Sequence, residues 1–187
     1  GDSLRRVVAR LREAGVDAGR DLEWQALSRQ LGADGRIQVG EYALDPGTTP
    51  RALLLMMRDG KVVSYRFTLV EGWNIRELRA ALAKATPLLQ TIGELDDAAL
   101  MEKLGRPGVH PEGRFLPETY VYTRGDSDLE VLKRANAALE RALQSAWEAR
   151  AADLPLKNAE EALVLASIVE KETGIAEERP QIAGVFE

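Results

Sequence analysis

Residues 1–70 alternate between helical and strand patterns of hydrophobic positions. Apolar residues at helical spacing, with a glycine after each group, predict three short helices. These helices cover residues 4–14, 21–31 and 50–59. Ser3 is placed to cap the first helix, and Thr49 is placed to cap the third, which has proline at its first position.

Two segments of this region alternate apolar and polar residues in strand phase. Residues 63–69 alternate strictly, which predicts a strand with one buried face and one solvated face. Ile37 and Val39 also alternate, but the phase slips at Gly40 before it resumes. A glycine at a phase slip predicts a β-bulge, so a second strand is expected there.

The chain after Gly72 has a mainly helical pattern. Four more helices are predicted, beginning after Asn74, near Asp96, after Ser127 and after Asn158. Glutamate three residues after Asn74 and after Ser127 indicates capping boxes, and Asn158 with Glu161 opens the last helix. The last helix is expected to extend to about Thr173. The predicted fold class is therefore α+β, with a small α/β subdomain over residues 1–70 and a mainly helical domain over residues 71–187.

Residues 106–125 (RPGVHPEGRFLPETYVYTRG) combine prolines, glycines and aromatic residues without a sustained period. A loop of this length is uncommon in a compact domain unless it has a function. The alternative is a crossover that its prolines make rigid. The composition alone leaves both interpretations open.

Composition excludes several classes of chemistry. The 187 residues carry a net charge of -5 and no cluster of lysine or arginine along the sequence, which argues against a nucleic-acid partner. There is no cysteine, and His110 is the single histidine, so a metal site would need to consist almost entirely of carboxylates. We predict neither a metal nor a cofactor.

No apolar stretch is long enough to span a bilayer, and the chain begins without a signal peptide. Gly1 and Asp2 do not resemble a natural initiator, and the chain stops at Glu187 just after a helix begins. We therefore expect the sequence to be a fragment, truncated at its C-terminal end.

Glu170 is the strongest candidate for chemistry. It follows the apolar run ALVLASIV of residues 162–169, which covers most of a helix circumference and predicts a largely buried helix. A carboxyl group in apolar surroundings resists ionisation and can donate a proton to a leaving oxygen. The alternative is a structural glutamate that caps a helix or pairs with an arginine.

Other side chains from the 106–125 loop are weaker candidates. Glu112, Glu118 and Asp126 lie in or beside it, and any of them is a candidate second carboxylate for glycoside hydrolysis. The aromatic residues of the loop are candidates for stacking on sugar rings and are equally compatible with a buried core. They are Phe115, Tyr120 and Tyr122.

Several segments resemble the YceG-like (MltG-type) family of endolytic murein transglycosylases. Residues 162–186 (ALVLASIVEKETGIAEERPQIAGVF) resemble the family signature, and residues 110–125 (HPEGRFLPETYVYTRG) are similar to its second motif. Residues 70–73 (VEGW) resemble the beginning of its catalytic region. Residues 1–70, with GDSLRRVVARL and VGEYAL, resemble the LysM-like subdomain that precedes it.

The resemblance implies a peptidoglycan lyase. Such enzymes cleave the β-1,4 bond between N-acetylmuramic acid and N-acetylglucosamine and leave 1,6-anhydro ends. Glu170 matches the family's acid/base, whereas Glu112, Thr119 and Tyr120 match its loop motif and are carried over as residues of the glycan groove. The family also implies a single N-terminal membrane span in the cell inner membrane, a catalytic part in the periplasm and cell-wall synthases as partners.

Two features depart from the family pattern. Arg114 stands where an aromatic residue is expected, which would weaken sugar stacking there. The region that follows in the family, which helps to wall the cleft, is absent after Glu187. The sequence therefore also fits a non-catalytic peptidoglycan-binding or scaffold module. A protein-interaction domain built on the predicted helix over residues 127–150 is a weaker alternative.

Overall fold

The computed structural model describes residues 4–16 and 18–186. The predicted cap at Ser3 and the chain end at Glu187 lie outside the described residues. The fold is α+β, as predicted, with helices and a small antiparallel two-stranded sheet. None of the helices in the described ranges is long and apolar enough to cross a membrane.

The chain forms two compact units. The first comprises residues up to Tyr65 together with Thr123–Gly125, and the second comprises Arg66–Tyr122 and the residues from Asp126 onward. The sequence places the domain boundary near residues 70–72, whereas the units separate within a strand. The assignment of a LysM-like subdomain and a catalytic domain to these regions remains a prediction.

The first unit contains three helices, α1 (Leu4–Glu13), α2 (Asp21–Gln30) and α3 (Pro50–Asp59). Their local signals are those predicted: Thr49 accepts a hydrogen bond from the N–H of Ala52, and Gly60 ends α3 at a positive φ of 67°. One core joins the three helices. It consists of Val8, Leu11, Trp24, Leu31, Ala33, Leu53, Leu54 and Met57.

The strand predicted around Ile37 and Val39 is wrong, because residues 37–44 have no regular secondary structure. Gly40 is required there for another reason than a bulge: a Cβ on Gly40 would collide with the side chain of Val62. The N–H of Val63 donates to the carbonyl of Glu41 at 2.8 Å, so the two segments approach closely without forming a ladder.

The sheet pairs β1 (Ser64–Thr68) with β2 (Thr119–Thr123). The predicted strand over residues 63–69 is confirmed, with Phe67 buried. The sequence showed no sustained period in residues 106–125. The end of this segment nevertheless forms β2, in which Tyr120 and Tyr122 alternate as buried residues. Proline and glycine on both sides of this five-residue strand obscured its pattern.

The second unit contains five helices, namely α4 (Ile75–Leu82), α5 (Asp97–Lys103), α6 (Asp128–Glu148), α7 (Ala159–Glu172) and α8 (Arg179–Phe186). The predicted capping boxes close at the starts of α4 and α6. Asn158 caps α7 by accepting from the N–H of Glu161 at 3.0 Å. The Asn158 cap fixes where α7, the helix that carries Glu170, begins.

Candidate active site

An open cleft of about 410 Å³ lies in the second unit, within the size range of small-ligand sites. Three parts of the chain form its walls: residues 69–78, residues 111–117 and one face of α7. Leu139 of α6 also contributes. Glu170 and the loop after His110, which the sequence analysis singles out separately, therefore line the same cleft.

The cleft face of α7 follows from helical spacing. Residues 163, 164, 166, 167, 170 and 171 share one face at intervals of three and four and line the cleft. The prediction of a largely buried helix is wrong: among the residues described, α7 buries Val169 alone, and Val164 is 57% exposed. Leu163, Val164 and Ala166 line an open cleft, whereas the sequence pattern suggested a closed core.

Glu170 is half-buried, with 35% of its side chain exposed. Its Oε2 atom lies 3.2 Å from Nη2 of Arg179, the first residue of α8. This ion pair corresponds to the structural alternative that the sequence left open. It also shows that Glu170 does not lie in wholly apolar surroundings, because a guanidinium group faces it.

A hydrogen-bonded turn places Arg179 opposite Glu170. The buried Thr173 hydroxyl donates to Glu178 Oε2 at 2.8 Å and accepts from the N–H of Ile175 at 3.0 Å. These bonds span the 3₁₀ turn Ala176–Glu178 that connects α7 to α8. Residues 171–173 (KET) therefore contribute a threonine that forms this turn as well as two charged residues.

Two contacts hold α7 against the other walls. Lys171 Nζ donates to the carbonyl of Gly72 at 3.0 Å, and Arg114 Nη1 lies 2.7 Å from Glu160 Oε2. Arg114 is only 18% exposed, and its own carbonyl accepts from Asn136 Nδ2 at 2.9 Å. The residue that departs from the family pattern thus ties the loop to the first turn of α7.

The predicted groove residues separate in the structure. Glu112 lines the cleft and accepts a hydrogen bond at 3.0 Å from the N–H of Ile75, the first residue of α4. A carboxylate is stabilised at this end of a helix. Thr119 and Tyr120 are absent from the residues that line the cleft. Thr119 shares a hydrogen bond of 2.9 Å with Thr68 across the sheet.

The tyrosines of the loop are core residues. Tyr120 is 7% exposed and donates to the carbonyl of Leu116 at 2.7 Å, and burial raises the pKa of Tyr120 to about 12. Tyr122 is 4% exposed and donates to the carbonyl of Thr86. Burial also raises the pKa of Tyr122. Neither ring is placed to stack on a sugar in the cleft.

Trp73 and Phe115 are the aromatic residues that line the cleft. Phe115 is buried, whereas Trp73 is partly exposed and presents the larger surface.

Of the three candidate second carboxylates, Glu112 lines the cleft, and Glu118 and Asp126 do not. Glu71 also lines the cleft, although the sequence pattern did not single it out. Residues 70–73 (VEGW), which resemble the beginning of the family's catalytic region, contain both Glu71 and Trp73.

Within the described ranges, no three histidine, aspartate or glutamate side chains are grouped so that they would hold a metal ion. The cleft presents carboxyl groups and the cations Arg114 and Lys171 beside an aromatic and apolar surface. Such a site suits proton transfer to and from a ring-containing substrate.

Comparison with known proteins places this chain in a family. The model of the YceG-like family matches residues 1–187, so the chain belongs to the YceG-like family. This family is associated with cell-wall transglycosylase activity. No curated protein matches the chain.

A solved structure of a protein described as yceG-like, from Listeria monocytogenes, is similar to this chain. The sequences are 18% identical, the TM-score is 0.41, and the match covers 95% of this chain. The chain spans 64% of the length of that protein.

Proposed function

We propose that the protein is an endolytic peptidoglycan transglycosylase and that Glu170 is its acid and base. One observation carries the proposal: Glu170 lies in an open cleft together with the loop of the second family motif. A glutamate with only a structural role would not need to face a cleft of about 410 Å³. Membership of the YceG-like family supports the same reaction class.

The reaction needs a single carboxyl group. Glu170 first donates its proton to the glycosidic oxygen while the bond from that oxygen to C1 of N-acetylmuramic acid breaks. The resulting carboxylate then accepts the proton of the 6-hydroxyl group of the same sugar. The 6-oxygen forms a new bond to C1, which gives a 1,6-anhydro end and returns the proton to Glu170. No water is consumed.

The other residues of the cleft have supporting roles in this proposal. Trp73 offers its partly exposed ring as a surface for a sugar ring, and Phe115 supports the apolar wall beside it. Glu112 contributes by fixing the start of α4 through its bond to Ile75. Thr119 and Tyr120 contribute indirectly, because β2 and its contacts position the loop that lines the cleft.

The cellular setting follows from the family resemblance. We infer that the enzyme acts on periplasmic glycan strands, that a single span in the cell inner membrane anchors it, and that cell-wall synthases are its partners. Fractionation of cells, followed by crosslinking of the protein in the membrane fraction, tests the membrane anchor and the synthase partners. Recovery from the soluble fraction without any synthase would contradict them.

Product analysis tests the reaction. Purified sacculi are incubated with the full-length protein in H₂¹⁸O, and the released fragments are analysed by mass spectrometry. We expect anhydro-ended fragments without ¹⁸O, and no such fragments with Glu170→Gln. Reducing ends that carry ¹⁸O would indicate a hydrolase, and unchanged release by Glu170→Gln would contradict the assignment of Glu170.

The ion pair between Glu170 and Arg179 favours one alternative, a non-catalytic peptidoglycan-binding or scaffold module in which Glu170 is structural. This alternative predicts that the protein binds sacculi but releases no anhydro product. It further predicts that Glu170→Gln lowers the thermal midpoint of unfolding without changing sacculus binding. Release of anhydro fragments by the parental protein would exclude it.

A further inference from the structure

A second cavity of the second unit, about 350 Å³ in volume, has a basic lining. Its cations are Lys133, Arg134 and Arg141, which are all the cations of α6. Glu118 is the one acidic residue in the lining. This cluster is not apparent from the sequence, because six residues separate Arg134 from Arg141 along the chain.

The acidic residues of α6 do not neutralise these cations. The helix has four acidic residues, and each of them binds a group outside the cavity. Asp128 accepts from the N–H of Thr91, Glu130 from the N–H of Ser127, and Glu148 from Gln144, while Glu140 pairs with Arg106 at 2.7 Å. Among the described residues, Lys133 and Arg141 have no ion-pair partner. The lining therefore keeps an excess of positive charge.

The cavity is also partly preorganised. Arg134 Nη1 donates to the carbonyl of Val121 in β2, which fixes that guanidinium group over the cavity. Ala137 and Ala138 form a floor without long side chains, so a ligand can approach the cations closely. Arginine presents a planar set of donors that matches a carboxylate in two parallel hydrogen bonds.

The basic cavity and the cleft of Glu170 share one wall. Pro117 lines the cleft and the next residue, Glu118, lines the basic cavity. Likewise Leu139 lines the cleft and Ala138 lines the cavity. Consecutive Cα atoms are about 3.8 Å apart, and an extended peptide of five residues spans roughly 17 Å. A peptide attached to a sugar in the cleft would reach the cations by passing from one lining to the lining that adjoins it.

We propose that the basic cavity binds the carboxylates of an acidic peptide carried by the glycan strand. The proposal rests on the proposed function, because peptidoglycan strands carry such peptides. It assigns to Lys133, Arg134 and Arg141 the recognition of the peptide, while Glu170 acts on the sugar bond. A glycan strand with acidic peptides would then bind more tightly than a bare one.

The test uses a peptide without any sugar, so that it does not depend on cleavage. The probes are acetyl-L-Ala-γ-D-Glu-L-Ala with two free carboxylates and its diamide. Backbone amide NMR spectra are recorded during titration of the ¹⁵N-labelled protein. We expect saturable shifts at residues 118–121 and 133–141 with the diacid only. The double variant Lys133→Gln/Arg141→Gln should bind about tenfold more weakly, since each lost contact is an exposed charge-assisted bond.

Lys84→Gln, which removes an exposed lysine of the same unit, should leave the affinity unchanged. Lys133 and Arg141 are both exposed, so unchanged circular dichroism and thermal midpoint are expected for the double variant. Equal binding of the diamide, an affinity of the double variant within twofold of the parental value, or tighter binding of inorganic phosphate than of the diacid would overturn the proposal. If Glu170 proved not to be the catalytic residue, these peptide-binding results would be unaffected.

Discussion

Arg179 Nη2 lies 3.2 Å from Glu170 Oε2, across the turn that joins α7 to α8. The pair joins two positions of the same family signature. We infer that Arg179 is a positioning residue, which holds the carboxylate of Glu170 at one orientation in the cleft. Small displacements of a reacting group reduce rates strongly, so we expect this contact to affect catalysis more than stability if Glu170 is the proposed acid and base.

Arg179→Gln should therefore lower kcat for sacculus cleavage about tenfold, with little change in KM and in the thermal midpoint of unfolding. Arg179→Lys should recover part of kcat because it retains the positive charge. Steady-state kinetics of the three proteins on soluble glycan strands provides the measurement. A fall in thermal stability with no change in kcat would instead assign the pair a structural role.

Asp128 gives a prediction on stability. Its carboxylate is fully buried and accepts hydrogen bonds from the N–H and hydroxyl of Thr91, at 2.9 and 2.6 Å, and from the N–H of Ile92 at 3.3 Å. Asp128→Ala leaves these donors unpaired and should reduce the free energy of unfolding by about 2–4 kcal/mol in urea titrations. Asp153 is exposed, so Asp153→Ala should change the free energy of unfolding by less than about 0.5 kcal/mol. A similar, small effect for both variants would refute this role.

The pair between Arg114 and Glu160 should couple the loop to α7. Because Arg114 is largely buried, we expect a coupling free energy of about 0.5–1 kcal/mol in a double-mutant cycle of alanine variants. The same cycle on Arg20 and Glu23, which are 90% and 61% exposed and 3.7 Å apart, should give a value close to zero. Equal coupling in the two cycles would argue against a specific contribution of Arg114.

Glu41 predicts a pH dependence in the first unit. Hydrogen bonds from Arg124 and Tyr65 lower the pKa of Glu41 below its usual 4.5. The ionised form is therefore favoured in the folded state, and its contribution is present above about pH 4.5 and lost as the pH falls through the lower, folded pKa.

Glu41→Gln should accordingly have a lower thermal midpoint than the parental protein at neutral pH, and the difference should diminish as the pH falls below 4.5. Calorimetry at several pH values provides the measurement. Arg124→Gln should show the same pattern, because it removes the principal partner. A difference that stays constant with pH would contradict the assignment of this effect to Glu41.

Local signals explain which elements the sequence could predict. Helix caps act through neighbouring residues, so Thr49, Asn74, Ser127 and Asn158 located four helix starts correctly. Strands depend on partners elsewhere in the chain. The alternating residues after Ile37 have no such partner in the described structure, and β2 acquires one in β1 despite its weak pattern.

The candidate site shows the same division. Helical spacing brought Glu170 to notice, and the family motifs joined it to the loop after His110. The open face of α7 and the position of Arg179 depend on packing and on the Thr173 turn, which no periodicity encodes. The basic cavity likewise requires β2 beside α6, so the sequence alone did not reveal it.

The most direct test of the account compares Glu170→Gln with Glu172→Gln, which alters an exposed glutamate of the same helix outside the cleft. The measured quantity is the initial rate of release of 1,6-anhydro fragments from sacculi, at equal amounts of bound protein. Loss of a general acid and base predicts a rate lower by a factor of about 10²–10⁴ for Glu170→Gln and a rate near the parental value for Glu172→Gln. A Glu170→Gln rate within threefold of the parental rate would contradict the central claim.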